Sequence, residues 1–209
     1  MQFDITGADA AHAYRLLAST VVPRPIAWVT SLGTEGNVNA APFSFFNLVG
    51  STPPTIALGV ANREPGVAKE SRANIEREGE FVVNLVDESL AEAMNISAID
   101  FPDGVSELPS AGITAAASAK IRTPRIAEAP VSLECRLHTV VPVGDNRIVL
   151  AEVIHLHIRD EFVDRERMHV RTENLHLIGR MHGGGWYART SDLFDMPRIA
   201  YHDWLAGQE

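Results

Sequence analysis

The pattern of apolar and polar positions predicts short β-strands near the start of the chain. Residues 26–32, 39–47 and 55–60 are apolar segments rich in β-favouring side chains. The segment 34–37 (TEGN) separates the first two and is typical of a hairpin turn, because Gly and Asn tolerate positive φ. The proline-containing segment 51–54 breaks the chain before the third run. We therefore expect three successive strands across residues 26–60.

The clearest predicted hairpin lies in the second half of the chain. Residues 131–143 and 147–158 alternate between apolar and polar side chains, and the turn falls at Gly144-Asp145-Asn146. In the first of these strands, apolar positions such as Cys135 alternate with polar positions such as Glu134. Residues 81–86 form a further compact apolar strand.

Three helices are predicted, over residues 8–20, 64–78 and 89–96. For the second, Asn62 is a plausible N-cap, and Gly79 is well placed to end it. The segment 100–119 is rich in Pro, Gly, Ser and Ala, and we expect an irregular loop that forms a lid or a rim.

Many strands with hairpin turns and few helices favour a mainly β, antiparallel barrel over a βαβ sheet. The chain has no internal repeat and no Gly/Ser-rich linker, so residues 1–209 are expected to form one domain. A net charge of −9 argues against a nucleic-acid partner and against anionic membranes. No apolar run reaches the roughly 18 residues of a spanning helix. The single cysteine suits a reducing compartment, so we expect a cytoplasmic protein.

Polar side chains interleaved with aromatic ones mark the candidate binding chemistry. Hydroxyl groups and a guanidinium beside aromatic rings suit a flat aromatic ligand that carries a phosphate. One set comes from the first strands: Arg24, Thr30, Ser31, Asn39 and Ser44. A second set, Lys69, Ser71 and Asn74, lies on the predicted helix 64–78. Because a helix start attracts anions, the second set is expected to share one phosphate with Arg24, Thr30 and Ser31 of the first.

The remaining candidate motifs are weaker. His155 and His157 place two imidazoles on one strand face, a spacing that metal sites use, and Glu134 or Glu152 would have to approach in space. A packed or interfacial histidine pair is the preferred interpretation, and no metal site is predicted. The glycine run 183–185 lacks the Lys-Ser/Thr of a phosphate-binding loop.

Four separated strings resemble one family. RPIAWVTS (24–31), NAAPFSFF (39–46), STPP (51–54) and KESRANI (69–75) are similar in order and spacing to the flavin reductase-like, FMN-binding split-barrel proteins, of the flavoredoxin branch. The late stretch LIGRMHGGGWYART is similar to a variant of the family's Arg-Leu-Gly-Gly…Tyr segment. Met181 stands where that pattern has Leu, and His182 is inserted before the glycines.

The resemblance implies a six-stranded antiparallel Greek-key split β-barrel with peripheral helices, a homodimer, and a flavin site near the subunit interface. It implies FMN as the cofactor and an NAD(P)H-dependent flavin reductase that transfers a hydride from nicotinamide to FMN. A monooxygenase or another electron acceptor would then be a partner. The alternatives are a non-catalytic FMN-binding electron carrier, or a split-barrel relative that binds another cofactor such as haem.

The resemblance also implies which residues hold the cofactor, whereas it names no catalytic acid or base. The cofactor-binding residues it implies are Arg24, Val29, Thr30, Ser31, Ala41, Pro42, Phe43, Ser44, Lys69, Ser71, Asn74 and Tyr187. Trp28 and Phe45 are expected to belong to the core, because aromatic residues in strands usually do. Cys135 is expected to be an inert buried thiol.

Overall fold

A computed structural model describes residues 1–206 and shows a mainly β chain built around one seven-stranded antiparallel sheet. In chain order the strands are β1 (Arg24–Pro25), β2 (Ala27–Leu32), β3 (Val38–Phe43), β4 (Phe46–Ser51), β5 (Pro54–Ala61), β6 (Glu80–Asn84), β7 (Ala115–Ala116), β8 (Arg125–Ile126), β9 (Val131–Val143), β10 (Asn146–Ile158), β11 (Val163–Asp164), β12 (His169–Val170), β13 (Ile178–Arg180) and β14 (Tyr187–Arg189). The α-helices are α1 (Ala13–Thr20), α2 (Glu70–Glu78), α3 (Ala91–Ile96), α4 (Leu108–Ala111) and α5 (Tyr201–Ala206). Short 3₁₀ helices span Ala10–His12, Glu88–Leu90, Asp160–Phe162 and Thr172–Leu175.

The large sheet has the strand order β3-β2-β6-β9-β10-β5-β4, which confirms the predicted antiparallel pairing. It has seven strands where six were predicted, because a bend at Ser44 and Phe45 divides the run 39–47 into β3 and β4. These are the two edge strands of the sheet, so this bend joins one edge to the other. Gly59 makes the bend possible: its N–H donates to the carbonyl of Phe45, and a Cβ at Gly59 would lie only 2.9 Å from the Phe45 Cβ.

The sheet separates two apolar cores. On one face, strand residues pack with helix α2 around Phe81, Leu58 and Ile75. On the other face, Trp28 packs against α3 and α4 and donates from its indole N–H to the Ser97 hydroxyl at 2.9 Å. The prediction that Trp28 belongs to the core is therefore confirmed.

Phe45 lies outside the core, and the prediction for this residue is wrong. Its side chain is 48% exposed at the bend between the two edge strands. The ring lies 6.4 Å from the ring of Tyr14 and 5.9 Å from the Arg24 guanidinium, so it packs only on the surface. The bend turns the side chain outward, which a strand pattern does not reveal.

Helix α2 begins at Glu70, later than predicted. Gly66 has a φ of +80°, a conformation that ends any helix from residue 64, and Glu64 instead forms a bridge with Val67. Lys69 is the N-cap, in extended conformation, whereas the proposed cap Asn62 accepts a hydrogen bond from Arg72. The predicted end of the helix is confirmed.

The long hairpin of β9 and β10 has its predicted bounds except that β10 begins one residue earlier, at Asn146, and burial does not follow simple alternation. Ser132, Glu134 and Cys135 are all buried. Burial opposes ionisation of Glu134, yet N–H groups of Ala119 and Lys120 and the ring of His157 bind its carboxylate and hold its pKa below the usual range. Burial raises the pKa of the Cys135 thiol well above its ordinary value, which agrees with an inert thiol.

The segment 100–119 is less irregular than predicted, because it contains helix α4 and strand β7, which pairs with β8. Within residues 1–206 the helices are all too short or too polar to cross a bilayer.

Candidate functional site

Strand β3 is an edge strand of the large sheet, and part of its outer edge is free. The segment that precedes α4 covers only its first half: the Ser106 hydroxyl donates to the carbonyl of Val38 at 2.5 Å, and the N–H of Ala40 donates to Glu107 at 2.8 Å. Pro42 carries no N–H, so the next outward position offers no ladder donor. No strand of the described chain covers this edge from Ala41 to its end.

Two cavities lie along this uncovered edge, and we call them together the groove. Their volumes are about 180 and about 230 Å³, and both have Pro42, Phe43 and Ala98 in their walls. Among the candidate residues, the first cavity is lined by Asn39, Ala41, Pro42, Phe43, Lys69 and Ser71. The second is lined by Pro42, Phe43, Ser44 and Tyr187. Eight predicted residues thus surround one continuous strip of β3.

A cation stands at the first end of the groove. The Lys69 ammonium lies 5.9 Å from the centroid of the Phe43 ring, and no carboxylate lies within ion-pair distance of it in the described residues. Of the acidic residues nearby, Asp103 is paired with Arg63 at 3.0 Å. Lys69 therefore remains available to an anion in the groove.

A buried network of polar side chains lies next to Lys69 at the first cavity of the groove. The Ser71 hydroxyl donates to the Asn39 side-chain carbonyl at 2.7 Å, and the Ser31 hydroxyl donates to the same oxygen at 3.3 Å. The Asn74 amide donates to Ser31 at 3.2 Å. All four side chains are buried, so strands β2 and β3 are tied to the first turns of α2. The structure thus brings together the predicted residues Ser31, Ser71 and Asn74.

Thr30 does not join this network. Successive residues of a strand point to opposite faces, and the Thr30 hydroxyl donates to the carbonyl of Pro124 at 2.7 Å on the far side from Ser31. The backbone of Thr30 pairs with β3 on one side and with β6 on the other. The predicted convergence of the Thr30 and Ser31 hydroxyls is therefore wrong. Val29 is fully buried in the core and likewise lines neither cavity.

Arg24 is also absent from the walls of the groove. Its buried Nη1 donates to the carbonyls of Ala18 and Val21 at 2.6 and 2.8 Å. Its Nη2 donates to the carbonyl of Met181 at 2.8 Å, and its Nε lies 3.5 Å from the Ser44 hydroxyl. The guanidinium thus joins the end of α1 to the C-terminal strands and reaches the groove only through Ser44.

The second end of the groove is closed by the C-terminal hairpin. Strand β13 pairs with both β1 and β14, which brings Tyr187 to the second cavity. The Arg180 guanidinium lies 4.8 Å from the centroid of the Tyr187 ring. A Cβ at Gly179 would lie 2.8 Å from the Pro23 Cβ, so this close approach of β13 requires glycine.

The sequence missed Glu107, which lies in the wall of the first cavity. This buried carboxylate accepts hydrogen bonds from the Asn39 amide at 2.7 Å and from the Ala40 N–H at 2.8 Å. Burial raises its pKa, the nearby Glu70 charge adds to the effect, and the two hydrogen bonds oppose it. An acidic residue in a Pro- and Ser-rich segment carries no sequence signal of such depth.

We expect Glu107 to make folding more favourable at mildly acidic pH. Its folded pKa exceeds the unfolded value of about 4.3, so the folded state binds the proton more tightly. Stability attributable to this group is therefore gained as the pH falls towards the unfolded pKa and lost as it rises through the folded pKa. Urea unfolding of the parent and of Glu107→Gln at pH 7.5 and 5.5 measures this. The free energy of unfolding of the parent should rise relative to that of the variant when the pH is lowered from 7.5 to 5.5. An equal difference between parent and variant at the two pH values would refute the effect.

Comparison with known proteins shows which sequences and structures this chain resembles. The sequence pattern of the family described as "Flavin reductase like domain" matches residues 18–177. The crystal structure of nitrilotriacetate monooxygenase component B from Bacillus cereus is 31% identical, with a TM-score of 0.89 over 94% of this chain and 98% of that one. The 2-nitrobenzoate 2-nitroreductase NbaA of Pseudomonas fluorescens is 35% identical, with a TM-score of 0.87 over 96% and 98% of the two chains. A flavin reductase with a split barrel domain from Shewanella frigidimarina is 17% identical, with a TM-score of 0.81 over 95% of this chain and 100% of that one, which supports the split-barrel fold alone.

Proposed function

This chain belongs to the flavin reductase-like family, and from that premise we propose that it binds FMN in the groove and catalyses its reduction by NAD(P)H. One observation carries the proposal: a single strip of β3 runs between two different ends of the groove. At one end lie Lys69, which has no ion-pair partner in the described residues, and Ser71, and at the other lies the aromatic ring of Tyr187. This arrangement suits a ligand with a phosphate at one end and a flat ring system at the other.

The residues of the groove fit this cofactor in size and in donor type. The two cavities together fall in the range of roughly 300–1,000 Å³ that is typical of cofactor pockets. Lys69 supplies a charge for a phosphate, because charge-assisted hydrogen bonds are the stronger ones. Ser71 lines the same end of the groove, with its hydroxyl bonded to Asn39. Ala41, Pro42 and Phe43 supply an apolar floor for the rings.

The bound flavin would supply the two-electron chemistry, and the protein would supply binding and orientation. Among the described strands, β3 has no partner on its outer side from Ala41 onward, and the outward-facing Pro42 carbonyl would bind the polar edge of the ring there. Ser31 and Asn74 would hold Ser71 and Asn39 in place. Tyr187 and Ser44 would bound the ring at the far end, with Arg24 orienting Ser44.

We further propose a monooxygenase as the consumer of the reduced flavin. The support is the similarity to the nitrilotriacetate monooxygenase component B of Bacillus cereus, at 31% identity and nearly full coverage of both chains. A homodimer is supported by the edge strand β4, where Leu48 and Val49 are 64% and 56% exposed. Next to β4, an apolar cavity of about 400 Å³ is lined by Phe46, Leu48 and Ile178 among others. Exposed apolar surface of this kind marks protein interfaces.

The test is a visible spectrum of the purified protein with added FMN, followed by anaerobic mixing with NADH or NADPH. Bleaching of the flavin band over many turnovers with one nucleotide supports the proposal, and light scattering on the same sample gives the mass of the assembly. A flavin spectrum that only a protein donor bleaches would instead indicate an electron carrier. A haem spectrum, or no flavin binding, would overturn the proposal.

A second candidate activity is the direct reduction of a nitroaromatic acid by the bound flavin. It is favoured by the 35% identity to the 2-nitrobenzoate 2-nitroreductase of Pseudomonas fluorescens. The two activities separate in one assay, in which 2-nitrobenzoate and free FMN compete as acceptors for the same nucleotide. Loss of nitrobenzoate without release of reduced flavin would favour the second candidate.

A further inference from the structure

Outside the groove, the long hairpin carries a cluster of three metal-ligating side chains. Glu134 of β9 and His155 and His157 of β10 place one ligand atom each within 4.8 Å of one another. The rings of His155 and His157 meet edge to face with centroids 4.8 Å apart. The His157 Nε2 lies 2.6 Å from Oε1 of Glu134. None of the three side chains lines either cavity of the groove.

A β-bulge creates this cluster. Val153 lies opposite Cys135, so a regular ladder would place Ile154 opposite Glu134 and would point His155 to the other face. The register shifts between Val153 and His155, and His155 lies opposite Glu134 instead. Bulges commonly re-aim a side chain next to a functional site. Because of this bulge, His155 and His157 share a face with Glu134. The two histidines thereby lie beside a third side chain that can bind a metal ion.

The carboxylate is already held in position by its surroundings. Its side chain is fully buried, and the N–H groups of Ala119 and Lys120 donate to it at 2.6 and 2.8 Å. Hydrogen bonds of this kind orient a metal-binding carboxylate in known metal sites. The two imidazoles are only partly buried, so an ion can reach them and water can complete its coordination.

We propose that Glu134, His155 and His157 bind one divalent transition-metal ion, with Zn²⁺ as the representative case. Two imidazoles and one carboxylate are a ligand set that Zn²⁺ uses, with water in the fourth position. Ligand bonds of about 2.1 Å in a tetrahedron place ligand atoms about 3.4 Å apart. That separation lies between the observed 2.6 Å contact and the 4.8 Å limit of the cluster, so small side-chain rotations suffice. The ion would cross-link strands β9 and β10 of the hairpin.

The competing interpretation is a structural Glu134–His157 pair in which His155 takes no part. The two interpretations differ in the expected effect of His155→Gln on metal binding. His155 makes no hydrogen bond within residues 1–206, so the substitution leaves the Glu134–His157 pair intact and removes only a proposed metal ligand. The matched control is His138→Gln, since His138 is an exposed histidine of the same hairpin that lies outside the cluster.

The experiment is a Zn²⁺ titration of the full chain after chelator treatment and dialysis, in competition with a chromophoric chelator. We expect one Zn²⁺ per chain, and a loss of affinity of more than about 100-fold in His155→Gln and in His157→Gln, because even outer partners of a metal ligand contribute 10- to 100-fold. His138→Gln should bind as the parent does. Co²⁺ should give the parent, but not His155→Gln, a visible absorption spectrum of low-symmetry coordination.

Circular dichroism and thermal unfolding confirm that each variant is folded, and Glu134→Gln serves only as a supplementary variant because Glu134 also holds the segment 119–120. The proposal is overturned if the parent binds no stoichiometric Zn²⁺. It is equally overturned if His155→Gln retains parental affinity, or if His138→Gln loses as much as the cluster variants. None of these readouts depends on flavin binding.

Discussion

Lys69→Ala is expected to weaken FMN binding by about 1.5–3 kcal/mol, which is roughly 10- to 150-fold in Kd. The reason is that Lys69 is the cation of the first cavity without an ion-pair partner in the described residues, since Arg63 is paired with Asp103, and a bound phosphate would depend on the Lys69 charge. Quenching of flavin fluorescence in a titration with the purified variant measures the change.

Two control variants make the Lys69 result specific. Lys120→Ala removes the other lysine of the chain, which is exposed and lines neither cavity, and should leave the Kd unchanged. Thr30→Ala should also leave the Kd near the parental value, because its hydroxyl is bonded to Pro124 on the opposite face of β2. If Lys69→Ala bound FMN as tightly as the parent, the phosphate would not lie at this end of the groove.

Arg24→Ala is expected to lower the free energy of unfolding by about 3 kcal/mol or more. Its guanidinium is buried and donates to three backbone carbonyls, and the loss of a charged partner leaves those acceptors without donors. The bonds also join the end of α1 to the C-terminal strands, so both ends of the chain should loosen together. Urea unfolding followed by circular dichroism measures the loss.

Arg165→Ala is the matched control for Arg24, because Arg165 makes only an exposed ion pair with Asp160. It should leave the free energy of unfolding close to the parental value. Arg24→Lys should recover only part of the loss, because an ammonium cannot reproduce the planar set of donors. A destabilisation of Arg24→Ala no larger than that of the control would contradict the architectural role of this residue.

The fate of the predicted site residues shows where sequence patterns are informative. Ser71, Asn74 and Ser31 are predicted to belong to one phosphate site, and the structure does bring them together in one hydrogen-bond network. Arg24 and Thr30 were predicted beside them and are bonded elsewhere. The sequence shows directly which polar residues a short segment contains. It does not show the hydrogen-bond partner of each polar group, because that depends on which backbone carbonyl folding brings close to it.

The amino-acid sequence alone establishes that the chain is mainly β, where its long hairpin lies, where helix α2 ends and which family it belongs to. These properties depend on local preferences: strand alternation, turn residues, glycine at a helix end, and strings of residues in a fixed order. Three features become visible only in the folded chain: Thr30 faces away from Ser31, Glu107 lies in the groove wall, and a bulge at Ile154 brings His155 to Glu134. Each of these contacts joins residues far apart in the chain or follows from a one-residue shift in register, and a shift of one residue reverses the face to which a side chain points.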